Sequence, residues 1–196
     1  MIQDFDSIIE EMRAHGMPLP KEKTSLRVEN SKEIMQNALN YFLRFEEIKA
    51  IWKPEYDKVS DWMQNTQGRG LFMYGNCGLG KSLLGRFVIP AILLKYCRKV
   101  VSVYSMSEVN KNIDEVLTRP IISIDDVGTE DIANSYGNRR SAFSEIMDDV
   151  EKKGKLIIIS TNLNNDELIE KYGTRVMERI ISTTTRIKFT GESLRK

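Results

Sequence analysis

Apolar positions recur along the chain with two different periods, and the change of period predicts its layout. Ile2, Phe5, Ile9 and Met12 stand three and four residues apart, with Asp4, Asp6, Glu10 and Glu11 between them. That spacing predicts a short amphipathic helix, acidic at its positive end. The stretch from His15 to Pro20 breaks it and leads into a loop. Asn30 and Glu33 have the spacing of a capping box. The helix they open carries a wide, aromatic face through Ile34, Ala38, Tyr41, Phe42, Phe45 and Ile48. Pro54 suits a first helical position, and Tyr56, Val59, Trp62 and Met63 give that helix one buried side. After residue 66 the pattern changes to short continuous apolar runs separated by helical stretches.

Those runs predict strands at 70–74, 100–104, 121–124 and 156–159, and an alternating stretch predicts a last one at 186–189. Runs apolar throughout belong to parallel strands covered on both faces. Between them, a helix is expected from Lys81 to about Arg98, kinked or split by Pro90. A shorter one capped by Ser107 should reach Val116. Asn138 should cap the helix that carries Phe143, Ile146, Met147 and Val150 and stops at Gly154. Short helices are expected at 166–171 and 174–181. Alternation of this kind predicts an α/β architecture on a parallel sheet. A boundary near Gln67 divides it into a helical N-terminal segment, 1–66, and a main domain, 67–196.

Composition changes this picture little. Of 196 residues, 41% are apolar and 29% charged, as in an ordinary soluble globular protein. A formal net charge of +1 leaves nucleic-acid contact to a local patch. Cys77 and Cys97 are too few for a disulfide framework. No basic-then-apolar leader opens the chain, and no apolar run is long enough to span a bilayer. A cytoplasmic protein with no membrane contact is the expectation.

Chemistry enters at Gly75-Asn76-Cys77-Gly78-Leu79-Gly80-Lys81-Ser82, which fits G-x-x-x-x-G-K-[ST] at every fixed position. A strand precedes it and a helix beginning with Leu83 and Leu84 follows, as the motif requires. Glycines let successive backbone N–H groups turn inward on phosphate oxygens, and the helix N-terminus adds partial positive charge. The stretch from Gly75 to Leu83 therefore reads as a nucleotide-binding loop. Lys81 would reach the β- and γ-phosphates, and the Ser82 hydroxyl would ligate Mg²⁺.

The strand at 121–124 ends in Asp125-Asp126. An acidic strand end is often only polar, but after a phosphate loop it suits metal binding by Asp125 and polarisation of the attacking water by Asp126. The next strand ends in Ser160-Thr161-Asn162, where the Asn162 amide would orient that water. Arg175, Arg179 and Arg186 follow. Arginines of nucleotide hydrolases offset transition-state charge; Arg175 and Arg179, sharing a helical face, fit equally a solvated basic surface. Asp125-Asp126-Val127-Gly128 also satisfies D-x-x-G of GTPases. However, Asn110-Lys111-Asn112-Ile113-Asp114, one residue off N-K-x-D, precedes the acidic strand instead of following it, which favours adenine.

Taken in order, these stretches resemble the helicase-loader branch of the AAA+ ATPases, the DnaC/IstB-like family. The match runs from about Gln67 through Leu71–Ser82, Ile124–Glu130, Ser160–Asn162 and Arg175–Ile180 to Phe189–Arg195. The resemblance implies a three-layer P-loop NTPase with a five-stranded parallel sheet and no C-terminal lid. It further implies an acidic strand flanked by the phosphate-loop and sensor strands. ATP with Mg²⁺ is the implied ligand and slow hydrolysis to ADP and phosphate the implied reaction. Self-association with ATP would bring an arginine in trans, Arg179 first and Arg175 second, with Asn162 as the first sensor. The implied partner is a replicative helicase, or a transposase in the IstB-like version. Single-stranded DNA would meet local basic groups such as Arg139, Arg140, Lys152 and Lys153, which serve equally for helix solubility. The aromatic face through Tyr41, Phe42, Phe45 and Trp52 suits partner docking or packing against the main domain. A small-molecule kinase is the competing class, although the arginine-rich lid it would need is not apparent.

Overall fold

Five short strands build a single parallel sheet in the order β2–β3–β6–β1–β7: β1 (Gly70–Gly75), β2 (Ser102–Ser105), β3 (Ile121–Asp125), β6 (Leu156–Thr161) and β7 (Thr184–Phe189). Two-residue strands β4 (Asn134–Ser135) and β5 (Asn138–Arg139) pair separately. The computed structural model describes residues 5–19, 22–46, 50–129, 134–135, 138–139 and 141–194. Ile2, Asp4, Pro20, Ile48, Glu130, Arg140, Arg195 and the side chain of Arg139 lie outside the described residues.

Alternate residues of the central strands feed two cores, one on each face of the sheet. Leu71, Met73, Ile158 and Phe189 pack on one side with Met35, Leu39, Val59 and Met63. Phe72, Ile122, Ile124, Ile157 and Ile159 pack on the other with Phe143, Ile146, Met147 and Ile180. The first face is covered by α2 (Ser31–Leu43), α3 (Pro54–Gln64) and α5 (Ile89–Cys97). The second is covered by α6 (Met106–Lys111), α7 (Ile113–Val116), α8 (Ala142–Lys153), α9 (Asn165–Tyr172) and α10 (Thr174–Thr183). The three-layer α/β expectation is therefore met, and helices from before residue 67 share a core with β1. α1 (Phe5–Ala14) has no buried residue.

Several local expectations are corrected. Asn30 lies in the left-handed region (φ 52°) and makes no side-chain cap, because an N-cap oxygen reaches the helix amides from extended backbone. Ser105, not Ser107, caps α6, in a capping box with Glu108. Ser141 rather than Asn138 caps α8, since Asn138 is drawn into β5. The helix after Lys81 splits into α4 (Lys81–Leu83), a π-helical turn at Leu84–Val88, and α5. Pro90 has no N–H for the carbonyl one turn back, and the widened turn lies just before it. The sheet order also departs from that implied by the resemblance. Sensor strand β6 stands between β1 and β3, so the acidic strand borders β2 and β6 and not the phosphate-loop strand. The crossover from β1 passes over two strand positions to the sheet edge, and the interposed strand spreads the site across three adjacent strand ends.

Candidate functional site

The C-terminal ends of β1, β6 and β3 open onto one cavity of about 410 Å³. Ligands of open parallel sheets bind at such strand ends. Cys77, Gly78, Gly80, Lys81, Ser82 and Leu83 line it from the phosphate loop, and Asp126 and Asn162 line it from the two neighbouring strand ends. The sequence-predicted loop, catalytic acid and sensor amide are thus brought together. Gly75, Gly78 and Gly80 all have positive φ, which a side chain would strain. A Cβ on Gly80 would stand 2.4 Å from the Tyr56 hydroxyl. Leu79 is fully buried and anchors the loop. Cys77 stands exposed on the loop.

Lys81 is buried, and its Nζ donates to the carbonyls of Gly75 at 2.9 Å and Asn76 at 2.6 Å. Burial pushes its ammonium below the ordinary lysine value, with Cys77, Asp126 and Asp125 pulling the other way. Asp125 does not itself line the cavity; it is buried at 4% exposure, beside the lining residue Arg86, and accepts a hydrogen bond from the Ser160 hydroxyl. Asp126 has a left-handed backbone (φ 56°), its N–H donating to Ser160 Oγ at 3.3 Å. That turn separates the adjacent acids, leaving Asp125 buried and Asp126 exposed at the cavity wall. Thr161 Oγ1 donates to Val127 O at 2.5 Å and fixes the next loop against β6.

Oxygen donors on Ser82 and Asp125, with Asp126 nearby, suit a hard divalent cation that keeps waters and substrate oxygens as its remaining ligands. Among the described residues no group of three His, Cys, Asp or Glu side chains forms an all-protein cage.

The trans arginines are not brought to the cavity. Arg179 is buried in an ion-pair cluster on α8, 2.6 Å from Asp148 Oδ1 and 3.0 Å from Glu151 Oε2. Arg175 is exposed on the same helix. Arg186 lies on β7 with Nη2 2.6 Å from Asn165 Oδ1. Lys153 pairs with Asp149 at 2.6 Å, as a solvated helix end does. The aromatic face is divided: Tyr41 and Phe45 are exposed, while Phe42 packs on Phe87 at 5.8 Å between centroids and Trp52 on Tyr56 at 5.6 Å.

Four features of the site have no signal in the loop motif. Tyr56 donates its hydroxyl to Leu79 O at 3.1 Å, and burial beside Glu55 pushes its pKa up to about 12. The second is Ser160, partner of Asp125; a hydroxyl before Thr161-Asn162 was its only trace. A third is Arg86, which lines the cavity with Nη1 3.5 Å from Asp125 Oδ2. The arginine end of this pair is half-exposed and the carboxylate end buried. The fourth is the segment after β7, which runs along the loop. Asn76 N–H donates to Phe189 O, Asn76 Nδ2 to Gly191 O and Leu194 N–H to Gly78 O, all within 3.0 Å. Glu55 Oε1 accepts from the Thr190 amide at 3.0 Å and hydroxyl at 3.2 Å.

No protein-family model matches the chain. The replicative helicase loader DnaI of Bacillus subtilis (strain 168) is 22% identical over 169 residues, which cover 74% of this chain and 54% of DnaI. The chain thus spans about half the length of the curated relative it matches. The crystal structure of the DnaC helicase loader superposes with a TM-score of 0.61 at 17% identity, covering 80% of this chain and 98% of that one. This is the fold of the AAA+ helicase loaders. The crystal structure of DnaI gives 0.59 at 18% identity, covering 84% of this chain and 93% of that one. The likeness to the DnaC/IstB-like loaders read from the sequence is borne out, and the cavity lies at the phosphate-loop end of the loader fold. Among the described residues no helix is long and apolar enough to cross a membrane.

Proposed function

We propose that the chain binds and slowly hydrolyses ATP and acts as a loader of a replicative helicase in DNA replication. The observation that carries this reading is the convergence of Lys81, Ser82, Asp126 and Asn162 on one cavity of a loader-type fold. Backbone amides of the loop and the Lys81 ammonium hold the phosphates. Ser82 and Asp125 would hold Mg²⁺, which would supply charge neutralisation at the phosphates. The Ser160 hydroxyl orients the Asp125 carboxylate from behind. Asp126 accepts a proton from the attacking water, and the Asn162 amide fixes that water's orientation. Low turnover suits an aspartate here, whose carboxylate is one methylene shorter than a glutamate's.

Self-association with ATP would present the exposed Arg175 to a neighbouring site more readily than Arg179, which α8 already holds. The exposed rings of Tyr41 and Phe45 are the proposed docking surface for the helicase. Capture from native lysate with a non-hydrolysable ATP analogue against ADP tests the reading. A replicative helicase retained with the analogue is the expected result. Recovery of a transposase instead would transfer the chain to the accessory ATPases, and nucleotide-independent recovery of neither would overturn the loader assignment.

A further inference from the structure

Among the described residues, Arg86 is the arginine that lines the cavity. Two features of the fold put it there. Ser123 and Asp125 are two apart on β3 and so face the same way, toward the π-helical turn. Ser123 Oγ donates to the Gly85 carbonyl at 2.8 Å, and Asp125 Oδ2 meets Arg86 Nη1 at 3.5 Å. Successive residues of the turn are thereby registered on alternate residues of the acidic strand. π-turns inside α-helices are frequent at functional sites, and this one begins directly after the phosphate-loop helix start.

The contact with Asp125 is a loose one. Arg86 keeps 41% of its side chain exposed, and its separation from the carboxylate is longer than a charge-assisted hydrogen bond. Asp125 already has the Ser160 hydroxyl as a close partner. Arg86 also lowers the pKa of Glu108 by its charge, after that carboxylate's stronger bonds to Ser105. The guanidinium at the cavity wall is therefore held only loosely by Asp125. Its planar fork matches phosphate oxygens, which a lysine meets only as a point charge.

Building on the nucleotide reading above, we propose that Arg86 is the specificity-determining residue for the terminal phosphate. It turns from Asp125 to the γ-phosphate of a bound nucleoside triphosphate in the same chain. A divalent cation held by Ser82 and Asp125 would take the arginine's place at that carboxylate. The site discriminates ATP from ADP without a neighbouring subunit.

Calorimetric binding of a non-hydrolysable Mg-ATP analogue and of Mg-ADP to the full chain tests this. Arg86→Ala should lose about tenfold or more in affinity for the triphosphate, with ADP affinity held within about twofold of native. Arg86→Lys should fall between, keeping the charge and losing the fork. Arg86→Gln gives the same reading should the alanine variant not fold. Adding Lys81→Ala chain, which carries Arg86 but lacks the phosphate lysine, should leave the loss in place. An unchanged ATP-to-ADP ratio in the Arg86 variants would overturn the proposal. So would rescue by the added chain, which would show the arginine acting across an interface. Failure of the native chain to bind either nucleotide would sink the nucleotide reading itself.

Discussion

Lys81 is held among backbone carbonyls that no substitution of a neighbouring side chain can remove. Its replacement is therefore the cleanest removal of phosphate binding. A ligand at a hundred times its Kd adds about 2.7 kcal/mol to a one-site protein, or about 2–4 °C of Tm per kcal/mol for a chain of this size. Mg-ATP should raise the melting temperature of the native chain by about 5–10 °C on those scales, and Lys81→Ala should abolish the shift in scanning fluorimetry. Tyr56 gives a second expectation, in pH. Its folded pKa lies near 12 against an ordinary 10.0, so the native state holds the phenolic proton more tightly than the unfolded chain. The resulting stability is complete below pH 10 and is lost as pH rises through 12. Tyr56→Phe should flatten that alkaline fall in chemical denaturation, and cost about 1 kcal/mol at neutral pH through the lost bond to Leu79. Glu55 works at the other end of the scale. Burial opposes its charge, yet backbone bonds from Thr190 and from its own amide, the Thr190 hydroxyl and Lys53 hold the carboxyl below the usual range. Its contribution is present above the ordinary glutamate value of 4.5 and fades as pH falls through the folded one. The segment after β7 should therefore loosen in acid, seen as lower protection factors, corrected for the intrinsic exchange rate at each pH, at the Thr190 and Leu194 amides.

At the scale of elements, the central strands were legible because each is a mostly apolar run bounded by polar residues, and the last because its apolar residues alternate. Helix starts were less so. Three positions, Asn30, Ser107 and Asn138, had cap-forming side chains, but Asn30 has left-handed backbone, Ser107 falls inside α6 and Asn138 lies in β5 ahead of the Ser141 cap. In α10 the pattern showed two arginines on one face without separating their duties. The structure does, since Arg179 joins α10 to α8 through Asp148 and Glu151 while Arg175 stays exposed. Arg179→Gln should therefore destabilise the fold by about 1 kcal/mol, because Arg179 is buried while Asp148 and Glu151 keep 32% and 47% of their side chains exposed and can turn to water. Arg175→Ala should leave the melting temperature unchanged and lower only ATP hydrolysis that depends on protein concentration. Thermal melting beside a phosphate-release assay across chain concentrations separates the two.

At the scale of the molecule, the phosphate loop was legible because its residues are consecutive and carry their own strand and helix. Asp125, Asp126 and Asn162 followed because they mark strand ends. The sheet order was not legible: apolar runs say which segments are strands but not which are neighbours, and β6 came to lie where β3 was expected. Arg86, Tyr56 and Ser160 escaped for a related reason. Each acts on a residue more than twenty positions away, across a contact that only the folded sheet creates. The same holds for the segment after β7, whose bonds to Asn76 and Gly78 link residues more than a hundred positions apart.

One detail of the loop supplies its own assay. Cys77 is exposed and lines the cavity, whereas Cys97 is half-buried with its thiol pushed up by that burial. A maleimide should therefore label position 77 first, and a bound nucleotide should slow that labelling by steric cover. The rate of alkylation, followed by mass spectrometry as nucleotide is added, would then trace occupancy of the cleft without any engineered reporter.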